Sequence, residues 1–258
     1  MKYITCFISL FFLIISSTLN AESRLKSILE NGELRVGTTG DWNPMTYKDP
    51  STNEYMGFDI EIARELAKDM GVEIKFIPTE WKTLVTGILA NKYDISTSAS
   101  LSEKRALTTG YTNSFFKLAT VPLTLKKNSS QYVDWQDINN SSVTVAVTLG
   151  TVQEQYAKIL FPNAKLKVIE SPARDFQEVL AERADVHLTS NIEAAALVEK
   201  YPELYIVPVK EPKFPTPLAW LVSQEDQILI NYINHWIKIK KSRGYFDEMM
   251  NKWNLKSL

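Results

Sequence analysis

Cysteine is nearly missing from this chain: one residue, Cys6, in 258. It lies in the apolar stretch at the start, so a product cleaved after that stretch has no thiol at all. Disulfides, thiolate metal sites and a cysteine nucleophile are then excluded together. Histidine is almost as scarce, with only His187 and His235. His187 falls mid-strand in the pattern described below, where a hydrogen-bonded core residue is the ordinary reading. No HxxxH, GxSxG, GxGxxG or GxxxxGK[ST] spacing occurs, so zinc hydrolase, serine hydrolase and nucleotide functions have no motif to rest on. No metal or cofactor is expected. A surplus of one charge is missing too, with 29 Lys+Arg against 30 Asp+Glu and a formal net charge of −1. Nucleic-acid binding needs a basic surplus facing phosphate, and none is available.

Long apolar runs are absent except at the N-terminus. Lys2 precedes an almost uncharged run over residues 4–19, followed by Asn20 and Ala21. A basic start, an apolar run shorter than the ~20 residues a membrane span needs, and a small residue at the exit describe a secretory signal. Residues 1–21 are read as that signal, which implies export to the periplasm; a membrane anchor is the alternative reading. Cys6 stands too early to be the lipid-bearing cysteine of a lipoprotein. Cleavage after Ala21 removes only Lys2 among charged residues and leaves a formal charge of −2.

What is there is a repeated α/β pattern. Residues 33–39 read as a strand. Phe58, Ile62, Leu66 and Met70 follow at helical spacing and stop at Gly71; residues 72–77 alternate as a strand. Trp81, Leu84, Val85, Ile88 and Leu89 trace a second helical stripe before a strand over 93–98. This is the β-α-β-α-β order of a parallel sheet. It recurs with strands at 143–147, 165–170 and 185–189 and helices marked by Val152, Tyr156 and Leu160, then by Phe176, Val179 and Leu180. The halves also echo locally. Leu89 stands five residues before Asp94, with Ser98 four further on; Leu180 stands five before Asp185, with Thr189 four further on. Residues 121–126 and the proline-rich 208–217 read as two crossings between lobes, followed by a helical stripe through Trp236 to Gly244 and a short helix through Phe246 and Trp253. The expected layout is lobe one at 22–122 and 215–258 and lobe two at 123–214. Ligands of open parallel sheets bind at the carboxyl ends of strands, which points to the turns after Thr39, Ser98, Val147 and Thr189.

Around those turns the segments LRVGTTGDWNPMTY, MGFDIEIARELAKDMG, SLSEKRA, VAVTLGTVQEQYA and RGYFDEMMNKW resemble bacterial extracellular solute-binding proteins of the polar amino-acid type. A narrower resemblance, to the related cyclohexadienyl dehydratases, rests on the start of the mature chain, Glu154, and the segment around Ile192 and Glu193. The resemblance covers nearly the whole mature chain. It implies a periplasmic-binding-protein-like type II fold, two α/β lobes with a hinge, closing on a small anionic or zwitterionic ligand. It implies a membrane permease of an ABC importer as partner, and a monomer. Arg105 matches the arginine that clamps the ligand carboxylate, a role suited to a planar guanidinium. Ser98, Ala99 and Ser100 match hydroxyl and main-chain contacts beside it. Gly150 and Thr151, at a helix start, match a second-lobe contact to the same carboxylate. Trp42 and Trp81 match aromatic positions that sandwich the ligand.

The chain also departs from the family. Ser190 stands where amino-acid binders usually hold an aspartate for the α-ammonium, and Thr39 often replaces a second carboxylate. A buried ammonium without a partner is costly. The reading is therefore an acid without a primary α-ammonium, including a betaine held between tryptophans; Glu154 or Glu193 would keep amino acids possible. The alternative is a prephenate or arogenate dehydratase with Glu154 as general acid, against which stand Ser190 and Thr120, the latter where a lysine is expected. Trp135, Trp220, Trp236 and Trp253 are assigned to packing.

Overall fold

The computed structural model describes residues 23–257, so the expected signal lies outside the described residues. Among the described residues, no helix is long and apolar enough to cross a membrane. The first half runs α1 (Arg24–Asn31), β1 (Glu33–Thr38), a small antiparallel sheet of β2 (Asp41–Trp42), β3 (Thr46–Lys48) and β4 (Tyr55–Met56), then α2 (Phe58–Met70) and β5 (Glu73–Pro78). A single 3-10 turn at Trp81–Thr83 leads into α3 (Leu84–Leu89), followed by β6 (Ile95–Ser100), α4 (Glu103–Ala106) and β7 (Gly110–Tyr111). Strand β8 (Phe116–Leu125) crosses to the second half. There α5 (Trp135–Ile138), β9 (Thr144–Thr148), α6 (Val152–Leu160), β10 (Lys165–Ile169), α7 (Asp175–Leu180), β11 (Val186–Ser190), α8 (Asn191–Lys200) and β12 (Leu204–Ile206) follow. Strand β13 (Lys213–Val222) returns, and α9 (Gln227–Ser242) and α10 (Tyr245–Lys252) close the chain.

The strand order is β10-β9-β11-β8-β13-β6-β1-β5. Read outward from the central pair, both halves have the same arrangement: one antiparallel crossing strand, then three parallel strands. The expected two-lobed α/β architecture is the one observed. The sequence echo has a structural counterpart. The Asp94 carboxylate accepts the Arg35 backbone N–H (2.9 Å), and the Asp94 N–H returns a bond to the Arg35 carbonyl (2.9 Å). In the second half the Asp185 carboxylate accepts from Thr144 N–H (2.7 Å), and its own N–H bonds the Thr144 carbonyl (2.9 Å). An aspartate immediately before a strand thus ties that strand to its parallel neighbour in each lobe.

The crossings differ in detail from expectation. Strand β8 begins at Phe116, earlier than the apolar alternation indicates, and the proline-bearing stretch is part of strand β13. Pro215 falls where the β8–β13 register shifts, between Lys213 and Thr216, so its missing N–H interrupts no regular ladder. The last two helices pack on the first half. Leu229, Ile233, Trp236, Phe246 and Met249 share one core with Leu34, Phe58, Leu66 and Trp220. Phe115 sits at its centre, with ring centroids 5.5 Å from Trp220 and 5.2 Å from Phe246. The second half has its own apolar clusters around Val145, Leu188 and Phe161, and around Leu123, Val179 and Leu197.

Candidate functional site

The carboxyl ends of the parallel strands from both lobes face one cavity of about 490 Å³, counting its solvent-open mouth. Its lining includes Trp42, Trp81, Ser100, Arg105, Thr151 and Glu193. Thr39, Ser98, Ala99, Gly150, Glu154 and Ser190 lie around it without lining it. Ser98 is tied down from behind: its hydroxyl donates to Asp59 Oδ1 (2.6 Å) and its N–H to Asp59 Oδ2 (3.0 Å). Ala99 is fully buried in a small core with Leu84, Ile88, Tyr93 and Leu221. The Thr39 hydroxyl oxygen is buried without a hydrogen-bond partner.

Arg105 is placed by a short helix. Ser102 caps α4 by accepting the Arg105 N–H (3.3 Å), and the side chain then turns into the cavity with 7% of the residue exposed. Its Nη1 donates to the Ser100 carbonyl (3.1 Å) and its Nη2 to the Gly150 carbonyl (3.1 Å). The groups that raise its pKa are Tyr111 and Tyr156 rather than any carboxylate, while burial pulls that pKa below the usual value. Among the described residues no carboxylate pairs with this buried guanidinium; its partners are the two carbonyls and the Tyr111 hydroxyl. The free N–H groups at the start of α6, capped by the Thr151 hydroxyl, flank the same cavity through Val152 and Gln153.

The tryptophans meet edge to face, with centroids 5.7 Å apart and planes at 76°. They form a corner rather than two parallel walls. Their ring N–H groups reach opposite lobes: Trp81 Nε1 donates to Asp41 Oδ1 (3.1 Å) and Trp42 Nε1 to Ser190 Oγ across the cleft (3.4 Å). Ser190 also caps α8, accepting the Glu193 N–H at 3.2 Å.

Glu154 and Glu193, one turn into equivalent helices, have opposite fates. Glu154 accepts from Lys158 Nζ (2.6 Å) and Gly150 N–H (3.0 Å); burial raises its pKa, but these donors outweigh it and hold the carboxylate below its ordinary value. Glu193 is buried in the cavity, where desolvation wins over Arg174 and pushes its pKa up. Its Oε1 lies 2.8 Å from Arg174 Nη2, and it accepts a short bond from the Thr189 hydroxyl.

Arg174, Asp41 and Asp175 are not among the residues the sequence singles out, and His187 is read there as a core residue. Arg174 Nη1 lies 3.3 Å from Asp41 Oδ2 and also donates to the Asp41 carbonyl. Desolvation raises the Asp41 pKa, opposed by Arg174. His187 lines the cavity instead of sitting satisfied in a core: both ring nitrogens are buried without a hydrogen bond, and Nδ1 is 3.3 Å from Asp175 Oδ2. Thr148 donates to the same Asp175 oxygen at 2.8 Å. A signal for Arg174 was available. Trp81 and Arg174 follow β5 and β10, equivalent strands of the two lobes, so the strand-end rule applies to those turns as well. Among the described residues, no group of three or more His, Asp or Glu side chains is arranged to hold a metal ion.

Comparison with known proteins bears on the family and the fold. The chain is 30% identical over 243 residues to cyclohexadienyl dehydratase of Pseudomonas aeruginosa, covering 93% of this chain and 90% of the relative. It is 24% identical over 241 residues to the arginine-binding extracellular protein ArtP of Bacillus subtilis, covering 92% and 90%. Among solved structures, the ancestral amino acid-binding protein AncCDT-1, described as a precursor of cyclohexadienyl dehydratase, superposes with a TM-score of 0.83 at 34% identity, covering 90% of this chain and 99% of that one. The fold is thus periplasmic-binding-protein-like. With residues 34–256 matching the family as a whole, the chain belongs to the bacterial extracellular solute-binding proteins, family 3.

Proposed function

We propose that this protein captures a small organic acid, amino acid or betaine-like zwitterion between its lobes and delivers it to the membrane permease of an ABC importer. Arg105 carries the reading. A guanidinium held at 7% exposure with neutral partners and no carboxylate among the described residues calls for an anion, and a ligand carboxylate supplies one in bidentate geometry. Residues 22–122 and 215–258 form lobe one and 123–214 lobe two, with β8 and β13 as the hinge. The mature protein works in the periplasm as a monomer after loss of residues 1–21. A thermal-shift screen of refolded, ligand-free protein against amino acids, betaines, keto acids and prephenate tests this. A ligand at a hundred times its Kd adds about 2.7 kcal/mol of stability. Stabilisation by one acid without turnover supports capture; no stabilisation by any of them refutes it.

A second reading is favoured by the 30% identical dehydratase. Prephenate or arogenate loses water and carbon dioxide when an acid protonates the departing hydroxyl. In that case the proton donor is Glu154, the position the resemblance points to, or Glu193, which lines the cavity and whose pKa burial raises. Phenylpyruvate or phenylalanine appearing in the prephenate or arogenate wells would establish this reading in place of capture.

A further inference from the structure

Arg174 belongs to the second lobe, immediately before α7, with its side chain 18% exposed. One nitrogen pairs with Glu193 of its own lobe at 2.8 Å, and the other lies 3.3 Å from the Asp41 carboxylate of the opposite lobe. A single guanidinium therefore joins one carboxylate from each side of the cleft. That is the part a ligand's own cation would take in a protein that closes by being bridged. Among the described residues, no other lysine or arginine makes an ion pair with Asp41 or Glu193. Two carboxylates desolvated between closing lobes without a cation are strongly destabilising, so the subsite demands a positive charge from somewhere. The guanidinium of Arg174 also lies over Phe176, with its central carbon 5.7 Å from the ring centre. The head is thus positioned as a fixed part of the site.

We propose that Arg174 is a built-in counter-cation that fills the anionic subsite between Asp41 and Glu193 and so excludes ligands carrying a guanidinium or a basic side-chain ammonium. The inference rests on the capture reading above. It narrows the ligand to acids without a strongly basic side chain, their anion facing Arg105.

The test compares wild type with Arg174→Ala and Arg174→Met, the latter keeping an unbranched apolar side chain without the charge. The probes are methylguanidinium chloride and L-arginine, read by calorimetry and thermal shift. Each variant is expected to bind both probes at least tenfold more tightly than wild type, and adding Glu193→Gln to Arg174→Ala should abolish the gain. Equal affinity in wild type and variants overturns the proposal, as does a gain that survives Glu193→Gln. If neither variant shows a native melting transition, Arg174 is a structural ion and the proposal falls. Failure of the capture reading would look different: no acid in the screen would stabilise wild type, whatever methylguanidinium does to the variants.

Discussion

Arg105 of the first lobe donates to the main-chain carbonyl of Gly150 in the second at 3.1 Å, while its other terminal nitrogen holds the Ser100 carbonyl at 3.1 Å. The proposed anion clamp therefore touches both halves of the cleft.

Reversing the charge at Arg105 should abolish binding of every anionic ligand. Arg105→Lys keeps the charge and loses the planar fork, and a loss of about a hundredfold in affinity is expected, since two charge-assisted hydrogen bonds contribute about 3 kcal/mol together. Isothermal titration with the acid found by screening reads both. Retained affinity in Arg105→Glu would remove the clamp from the account.

Gly150 stands at φ +83°, and a Cβ there would lie 2.6 Å from the Cα and backbone nitrogen of Lys82 in the opposite lobe. Gly150→Ala should therefore strain the turn and hold the lobes apart. Affinity should fall at least tenfold, and small-angle scattering of the ligand-saturated variant should give a larger radius of gyration than wild type. A variant that closes like wild type would mean the approach of these two backbones is adjustable.

Ser190→Asp should leave α8 intact, because aspartate caps a helix as well as serine does. It adds a carboxylate beside Trp42, where amino-acid binders usually carry one. A preference shifted about tenfold toward α-amino acids is the expected outcome in a competition assay. An unchanged ligand profile would count against the role assigned to that position.

Asp59 is fully buried, and desolvation lifts its carboxyl pKa to about 7 although Ser98 donates to it twice. In the unfolded chain it ionises near the usual ~3.9. Between these values the folded state holds a proton that the unfolded state has lost, so stability falls as pH rises from about 4 to about 7. Asp59→Asn should flatten that slope, with the variant gaining melting temperature relative to wild type at pH 8. Parallel melting curves across the range would refute this.

The paired helix–strand units, the Asp94 and Asp185 echo, the helix ended by Gly71 and the apolar stripe through Trp236 could be read because each is written in local spacing. Side chains at period 3.6 or 2 must face a core, and a turn that needs a left-handed residue shows as glycine. Arg105 was legible for a related reason: its position just after a strand end, in SLSEKRA, matches a family motif. Whether Glu154 or Glu193 enters the cavity was not legible, since both stand three residues after the cap of equivalent helices. Lys158, one turn further along α6, captures the first at 2.6 Å; Arg174, distant in sequence, pairs with the second.

The sequence by itself thus determined two α/β units and an arginine at a strand end suited to meet an anion. These follow from composition, periodicity and motif, which are properties of neighbouring residues. Tertiary structure alone decided that Trp42 and Trp81 form a corner, that His187 borders the cavity, and that Arg174 lies between Asp41 and Glu193. Each depends on residues brought together across a cleft by the crossing strands, where burial and charge pairing are set by the opposite lobe.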